Sequence, residues 1–374
     1  MKKTKILAIL LYAVLAYSFV ACSNSSGGSS DDKKESANNP ATPAESGAGG
    51  GNEFTWPAFP SGALTVLPEN TLGSAGLSDN TTITYVTFGL YPQTKKTDDI
   101  TVSASTKTLN SWTVYAGSDN NYYIKDGAGY YKVEPIKWRI LNPSAPDREK
   151  KILLAENILI NCLYYDYYNV NRTVSDGTTP IYPNNYEHSR VRAFLNGLSY
   201  QIKESDSVTQ EANNEFNGKG FLYTAFTVEE RAAIADTSVV NNSESTNPFG
   251  NATLWNSGNN TYASDIPISD KIFLLSEAEV TKSAYGFAAY NDCDSTAQTY
   301  GTGNKRIRLT TDYAKYKGAS QNTTAGYGGY WWLRSPGCDY RNSVHYVNDD
   351  GLAEHCSIAD SSLYGVVPAL CLNQ

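Results

Sequence analysis

Residues Gly328-Gly329-Tyr330-Trp331-Trp332-Leu333-Arg334-Ser335-Pro336-Gly337 form a rigid aromatic block near the end of the chain. From Cys338 to Tyr364 the chain is small, polar and aromatic. It turns apolar again at Gly365-Val366-Val367-Pro368-Ala369-Leu370. Two apolar stretches that bracket an irregular polar one predict a framework carrying a displayed contact surface. Strand alternation sends the two adjacent tryptophans to opposite faces, one into the core and the other across a sheet or under a loop. Arg334 is expected to make a structural pairing rather than to meet a ligand.

The beginning of the chain predicts where such a surface would be shown. Lys2, Lys3 and Lys5 precede an apolar run from Ile6 to Val20, which is short for a membrane span. The run ends in Ser18-Phe19-Val20-Ala21-Cys22, a relaxed bacterial lipobox with a small residue before the cysteine. Residues 1–21 are therefore read as a lipoprotein signal peptide and Cys22 as the lipidated residue. An ordinary secretory leader with an incidental Cys22 is the plainer alternative. Residues 22–54 are Ser, Gly, Asn, Pro and Ala with few apolar side chains, and cannot form a core. They read as a flexible tether reaching about 30 Å on average. Residues 55–374 are left for the folded domain. The expected location is the outer membrane or cell surface, with membrane contact through the lipid on Cys22.

Charge narrows the partners. The formal net charge is -8, and loss of the three leader lysines makes the mature chain more acidic. No Lys/Arg run occurs, so nucleic acid is not an expected partner. The 28 tyrosines suit a binding exterior, because Tyr offers large contact area at low entropic cost. Cys162, Cys293, Cys338, Cys356 and Cys371 are an odd number in the mature domain. Cys162 or Cys293 could pair with Cys371, and spacing does not decide which. No Cys/His cluster at zinc spacing exists, so no metal and no cofactor are expected.

Periodic segments are few. Tyr85–Gln93 alternates like a strand and is expected to stop at Pro92. Tyr130–Leu141 predicts two further strand pieces, with Trp138 in step with Ile136 and Ile140 and so in the core. Lys151–Ile160 is an apolar run with strand character in its first half, and Asp270–Leu275 reads as a buried strand. A Ser189 cap and a Gly197 stop bound one helix, and Thr227 and Ser276 each open a capping box. Thr310–Gly318 is a last short helix. Thr173–Asn185, Ser238–Ser264 and Ala319–Gly329 read as loops. The expected class is α+β with long loops and little regular secondary structure.

Six blocks fall in one order: Phe88-Gly89-Leu90-Tyr91-Pro92-Gln93, Pro135-Ile136-Lys137-Trp138-Arg139, Arg192-Ala193-Phe194-Leu195-Asn196-Gly197, Phe273-Leu274-Leu275-Ser276, Trp331–Gly337 and Gly365–Leu370. Over about residues 80–374 the chain resembles the retroelement-diversified variable proteins of Treponema. The resemblance implies a C-type lectin-like fold of the formylglycine-generating-enzyme subtype. It also implies a variable ligand-binding region at about 338–364, where adenine mutagenesis of a template copy is written into the gene. Codons derived from AAC or AAT cannot encode Lys, Glu, Gln, Met or Trp. Those five types make up roughly one residue in eight of the chain, yet Glu354 alone is one of them between Cys338 and Gly365. Val367 departs from the pattern, since Arg is usual there.

The resemblance separates frame from display. Val344, Val347, Gly351, Ala353 and Ala359 are expected to be frame. Expected to point outward and bind are Asp339, Tyr340, Arg341, Asn342, His345, Tyr346, Asn348, Asp350, Leu352, His355, Cys356, Ser357, Ile358, Asp360, Ser361, Ser362 and Leu363. The expected partner is a protein or host surface ligand, met by a monomer without catalysis. A fixed-specificity adhesin or a carbohydrate-binding lectin-like protein is the alternative. A formylglycine-generating-like enzyme is more remote, because Cys338 and Cys356 are eighteen residues apart and no close cysteine pair exists. Calcium bridging a sugar would need convergent oxygen ligands, and neither Glu-Pro-Asn nor Gln-Pro-Asp occurs.

Overall fold

The computed structural model describes residues 56–68, 71, 83–142, 151–204, 206–241, 243–246, 268–287, 306–337, 340–353 and 355–373. All belong to the unit Phe54–Gln374. The predicted leader, Cys22, the tether, Cys293, Cys338, Asp339 and Glu354 lie outside the described residues.

Strands are numbered along the chain. Nine form the first sheet: β1 (Thr65–Val66), β2 (Tyr85–Lys95), β3 (Lys107–Leu109), β4 (Trp112–Ala116), β5 (Tyr122–Asp126), β6 (Gly129–Ile140), β7 (Ile152–Ala155), β15 (Ile272–Phe273) and β20 (Ala369–Cys371). Five form the second: β8 (Ile160–Asn161), β16 (Trp331–Pro336), β17 (Ser343–Val347), β18 (His355–Ile358) and β19 (Gly365–Val366). Three ribbons complete the set: β9 (Arg172–Thr173) with β10 (Pro180–Ile181), β11 (Tyr200–Ile202) with β12 (Glu211–Asn213), and β13 (Thr237–Val239) with β14 (Ile268–Asp270).

The expectation of an α+β, C-type lectin-like fold is corrected here. The structure is mostly β, with 35% strand against 13% helix, and a lectin-like fold is not what it shows. The physical reason lies in helix length. The helices are α1 (Arg190–Asn196), α2 (Phe221–Ala225), α3 (Val228–Ala233), α4 (Ser243–Thr246), α5 (Glu277–Val280) and α6 (Asp312–Tyr316). One or two turns bury too little to carry a core. Val-, Ile- and Tyr-rich extended segments carry it instead. The long Asn/Ser/Thr stretches also hold structure, since β9–β10 and β13 fall where loops were expected.

The local signals that did form helices are visible as atoms. The Ser189 side chain accepts from the Arg192 N–H, and Gly197 closes α1 at φ 67°. Thr227 with Glu230 and Ser276 with Glu279 make both halves of their capping boxes. The strand β2 runs through Pro92 instead of stopping there. Its partner on one side is β6, whereas β1 reaches only Val86 and Thr87. A proline without an N–H is tolerated where no second ladder needs its donor. Likewise Tyr130–Leu141 is covered by one long strand, β6, rather than two pieces.

Trp138 is fully buried and its indole N–H donates to the Phe88 carbonyl at 2.7 Å. Beside it Gly89 lies at φ 72°, where the β2–β6 register shifts. A Cβ there would come within 2.4 Å of the Phe226 ring. Gly89→Ala is therefore expected to lose about 2 kcal/mol through backbone strain and overpacking together. Urea unfolding of the two proteins checks this, and equal midpoints would refute it.

The two sheets are joined by one long antiparallel pairing. β7 runs on into β8 and β19 runs on into β20, side by side. Leu154 faces Ala369, the Ala155 N–H donates to Pro368, the Leu159 N–H donates to Val366, and Ile160 faces Val366. The second sheet then adds β16 parallel to β19, with β17 and β18 outside it, so β18 is its edge.

Candidate functional site

The segment 338–364 contains β17 and β18. Val344 and Val347 are fully buried, as are Trp331 and Trp332 on β16, and Ala353 and Ala359 are buried as expected of frame. Gly351 sits at φ 87°, a turn conformation that favours glycine. Arg334 forms the expected structural pairing. Its guanidinium holds Glu279 through two nitrogens, and also donates to the carbonyls of Val240 and Leu274.

The seventeen positions expected to face outward divide into groups. Tyr340, Arg341, Ile358, Ser362 and Leu363 are exposed, with Tyr340 at 67%, Leu363 at 56% and Ile358 at 43%. Asn342, Tyr346, Asn348, Ser357, Asp360 and Ser361 are half-buried. His345, Asp350 and Leu352 are buried, which corrects the reading that they point outward. Asp339 lies outside the described residues, and for His355 and Cys356 the strand is described but not the side chains.

Each correction has a physical cause. Alternation puts His345 on the face of β17 opposite Val344, but α5 covers that face. The His345 Nδ1 lies 3.5 Å from the Glu277 carboxylate, and both groups are buried. Asp350 and Leu352 belong to a tight turn. The Asn348 N–H donates to Leu352, the Gly351 N–H to Asn348, and the Asp350 carboxylate accepts from the Leu352 N–H. Buried Arg306 grips that turn from outside by donating to the Gly351 carbonyl at 2.6 Å. Sequence reasoning missed Arg306, and nothing in its neighbourhood signalled it.

Residues outside 338–364 also shape the surface. Asn184 donates through its amide to the Tyr340 carbonyl and through its backbone to Arg341. The Arg341 guanidinium stacks 4.7 Å from the Tyr182 ring centroid. Near the other end, Tyr346 and Trp332 pack on Tyr364 at 4.5 and 4.2 Å. Tyr330 completes this cluster. Burial, and next the Asp349 carboxylate, raise the Tyr330 phenol above its ordinary value, so it stays protonated. Burial also raises the Asp360 carboxyl, against the backbone hydrogen bonds that lower it.

Thiol chemistry finds little support where cysteines are described. Cys162 and Cys371 are both buried and do not bridge to each other, so the pairing of those two left open by the spacing is not formed. Burial pushes the Cys162 thiol up to about 12, far from the thiolate a nucleophile needs. Among the described residues no group of three His, Cys, Asp or Glu is placed to hold a metal ion, and no helix is long and apolar enough to cross a membrane.

A stability comparison separates display from frame. Tyr340→Ala and Leu363→Ser are expected to change stability by less than about 0.5 kcal/mol, as exposed substitutions do. His345→Asp sets a second carboxylate beside buried Glu277 and is expected to cost about 3 kcal/mol. Thermal melts of the three variants check this. A harmless His345→Asp would show that this face of β17 opens to solvent.

Fold and site together define a class: a β-rich scaffold that holds a turn-rich polar segment over a buried aromatic frame. Residues 148–374 match the profile of a domain family of unknown function, DUF6273, and the chain belongs to that family. The matched region takes in the whole second sheet together with β7, β15 and β20. No curated protein and no solved structure matches the chain.

Proposed function

We infer that this protein is a surface-displayed lipoprotein whose segment 338–364 is a diversified ligand-binding surface. The observation that carries the reading is the contrast within that segment. Tyr340, Ile358 and Leu363 expose large apolar area on a backbone whose neighbours Val344, Val347 and Ala359 are fully buried. Exposed aromatic and apolar residues on a rigid support are what a contact surface requires. Arg341, held over Tyr182, adds a planar charged fork to the same surface. Binding then works by shape and polar complementarity, and the partner is a protein or host surface molecule. Diversification by a retroelement rests on the ordered sequence blocks and on the scarcity of Lys, Glu, Gln, Met and Trp in the segment. Anchoring rests on the lipobox at Cys22.

The test is to sequence the 3′ end of the gene and its flanking DNA in many independent isolates. Differences should cluster in codons 338–364, and a nearby near-copy should carry adenines at the same sites. Codons 340, 341, 358, 362 and 363 should vary freely, whereas 345 should favour residues that fit beside Glu277. An unvarying segment with no near-copy would overturn diversification and leave a surface of fixed specificity.

A further inference from the structure

A cleft built wholly outside 338–364 supports a second binding site. Its floor is Tyr91, Trp112 and Tyr313, which meet edge to face with centroids 5.9 to 6.4 Å apart. One wall is Phe194, packed edge-on against Phe216 at 5.2 Å. The opening has a volume of about 290 Å³. Tyr91 and Tyr313 are buried, while Trp112, Phe194 and Phe216 keep part of their surface open. The rings are pinned in place. The Trp112 indole N–H donates to the Thr224 carbonyl at 3.1 Å, and the Tyr313 hydroxyl donates to Asp126 at 3.0 Å. Such a cleft is preformed, as ligand sites usually are.

The charges at its mouth leave one uncommitted. Glu215 is paired with Arg190 at 3.3 Å and accepts from the Tyr200 hydroxyl. Lys317 is paired with Asp126 at 3.1 Å. Lys219 also lines the mouth and is exposed, and among the described residues no carboxylate is paired with it. An aromatic floor with one spare ammonium suits a ligand that is apolar at one end and anionic at the other. The volume is at the small end for ligand sites, about right for a single ring with a short arm.

We propose that this cleft binds a ring-bearing carboxylate, with the ring against Trp112 and Phe216 and the carboxylate at Lys219. The same chemistry occurs in a free aromatic acid and at the end of a peptide chain whose last residue is aromatic. The site does not depend on diversification, although Asn161 at its mouth also donates to the Ser362 carbonyl at 2.7 Å.

Calorimetric titration of the whole mature protein tests this with four probes. Phenylacetate and N-acetyl-Gly-Gly-Phe carry the carboxylate, and phenylacetamide and the tripeptide amide lack it. The acids should bind about tenfold more tightly than their amides, the value of one charge-assisted contact. Lys219→Glu should abolish that preference without changing the melting temperature, and Phe216→Ala should weaken both acids. Tighter binding of the tripeptide identifies a chain terminus as the natural ligand, and tighter binding of phenylacetate a free acid. The proposal is overturned if no probe binds at millimolar concentration. It is equally overturned if the amides match the acids, or if Lys219→Glu leaves the preference intact.

Discussion

Replacing Arg334 with alanine is expected to cost about 3 kcal/mol of folding stability, because it removes the buried member of an ion pair and leaves its half-buried partner Glu279. Arg334 is almost fully buried and ties β16 to α5 and to the Val240 backbone. Its partner Glu279 has a second task, accepting from the Ser276 N–H at 2.8 Å to close the capping box of α5. Without the guanidinium, that carboxylate keeps only the Ser276 N–H, and the carbonyls of Val240 and Leu274 lose the donor they share.

The pH dependence gives the prediction a sign. Burial alone would raise the Glu279 carboxyl, but the Arg334 charge and the hydrogen bonds from Arg334 and Ser276 outweigh it and hold the group below its ordinary value. A lowered carboxylate contributes stability that is present above the unfolded-state value and lost as pH falls through the folded one. In Arg334→Ala burial would dominate, so the carboxyl rises and protonation relieves the unpaired charge. The stability gap between the two proteins should therefore shrink between about pH 5 and pH 3. Urea melts at both pH values would measure it, and a gap that stays constant would show that Glu279 does not carry the effect.

Trp332→Ala should be about as damaging, at roughly 3–5 kcal/mol, the usual cost of deleting a buried aromatic. Trp332 is fully buried, 4.2 Å from the Tyr364 ring and 5.9 Å from Tyr164, so its loss leaves a void beside both rings. The informative comparison is with phenylalanine. Among the described residues the Trp332 indole N–H has no hydrogen-bond partner, whereas that of Trp331 donates to the Arg306 carbonyl at 3.2 Å. Trp332→Phe should thus cost less than Trp331→Phe, by about 1 kcal/mol, the net value of one hydrogen bond. Chemical denaturation of the three variants decides it, and the reverse order would mean that the Trp332 N–H meets an ordered water.

Short-range chemistry was legible in the sequence. The Ser189 cap, the Gly197 stop and both capping boxes depend on residues three or four apart, and all are present. Trp138, read as core from its step with Ile136, is fully buried. What could not be read was set by distant partners. The overall class escapes the sequence because strands such as β3, β4 and β5 fall outside its few periodic segments, and their pairing is a tertiary fact. Pro92 looks like a strand end in the sequence because the missing second neighbour of β2 is a tertiary fact. His345 was placed outside because alternation along β17 says nothing about the helix that covers its other face. Val344 and Val347, three apart and both fully buried, already require that β17 be packed on both faces.

The long pairing that joins the two sheets has a consequence for the gene. β19 and β20 follow segment 338–364, and β20 lies inside the first sheet between β7 and β15. A stop codon or frameshift anywhere in 338–364 deletes both strands, and with them the seam on which each sheet closes. Such a product could not assemble its core, and cellular proteases would clear it. If segment 338–364 is rewritten as proposed, only reading frames that stay intact would reach a foldable end, and the scaffold would act as a proofreader of the segment it carries.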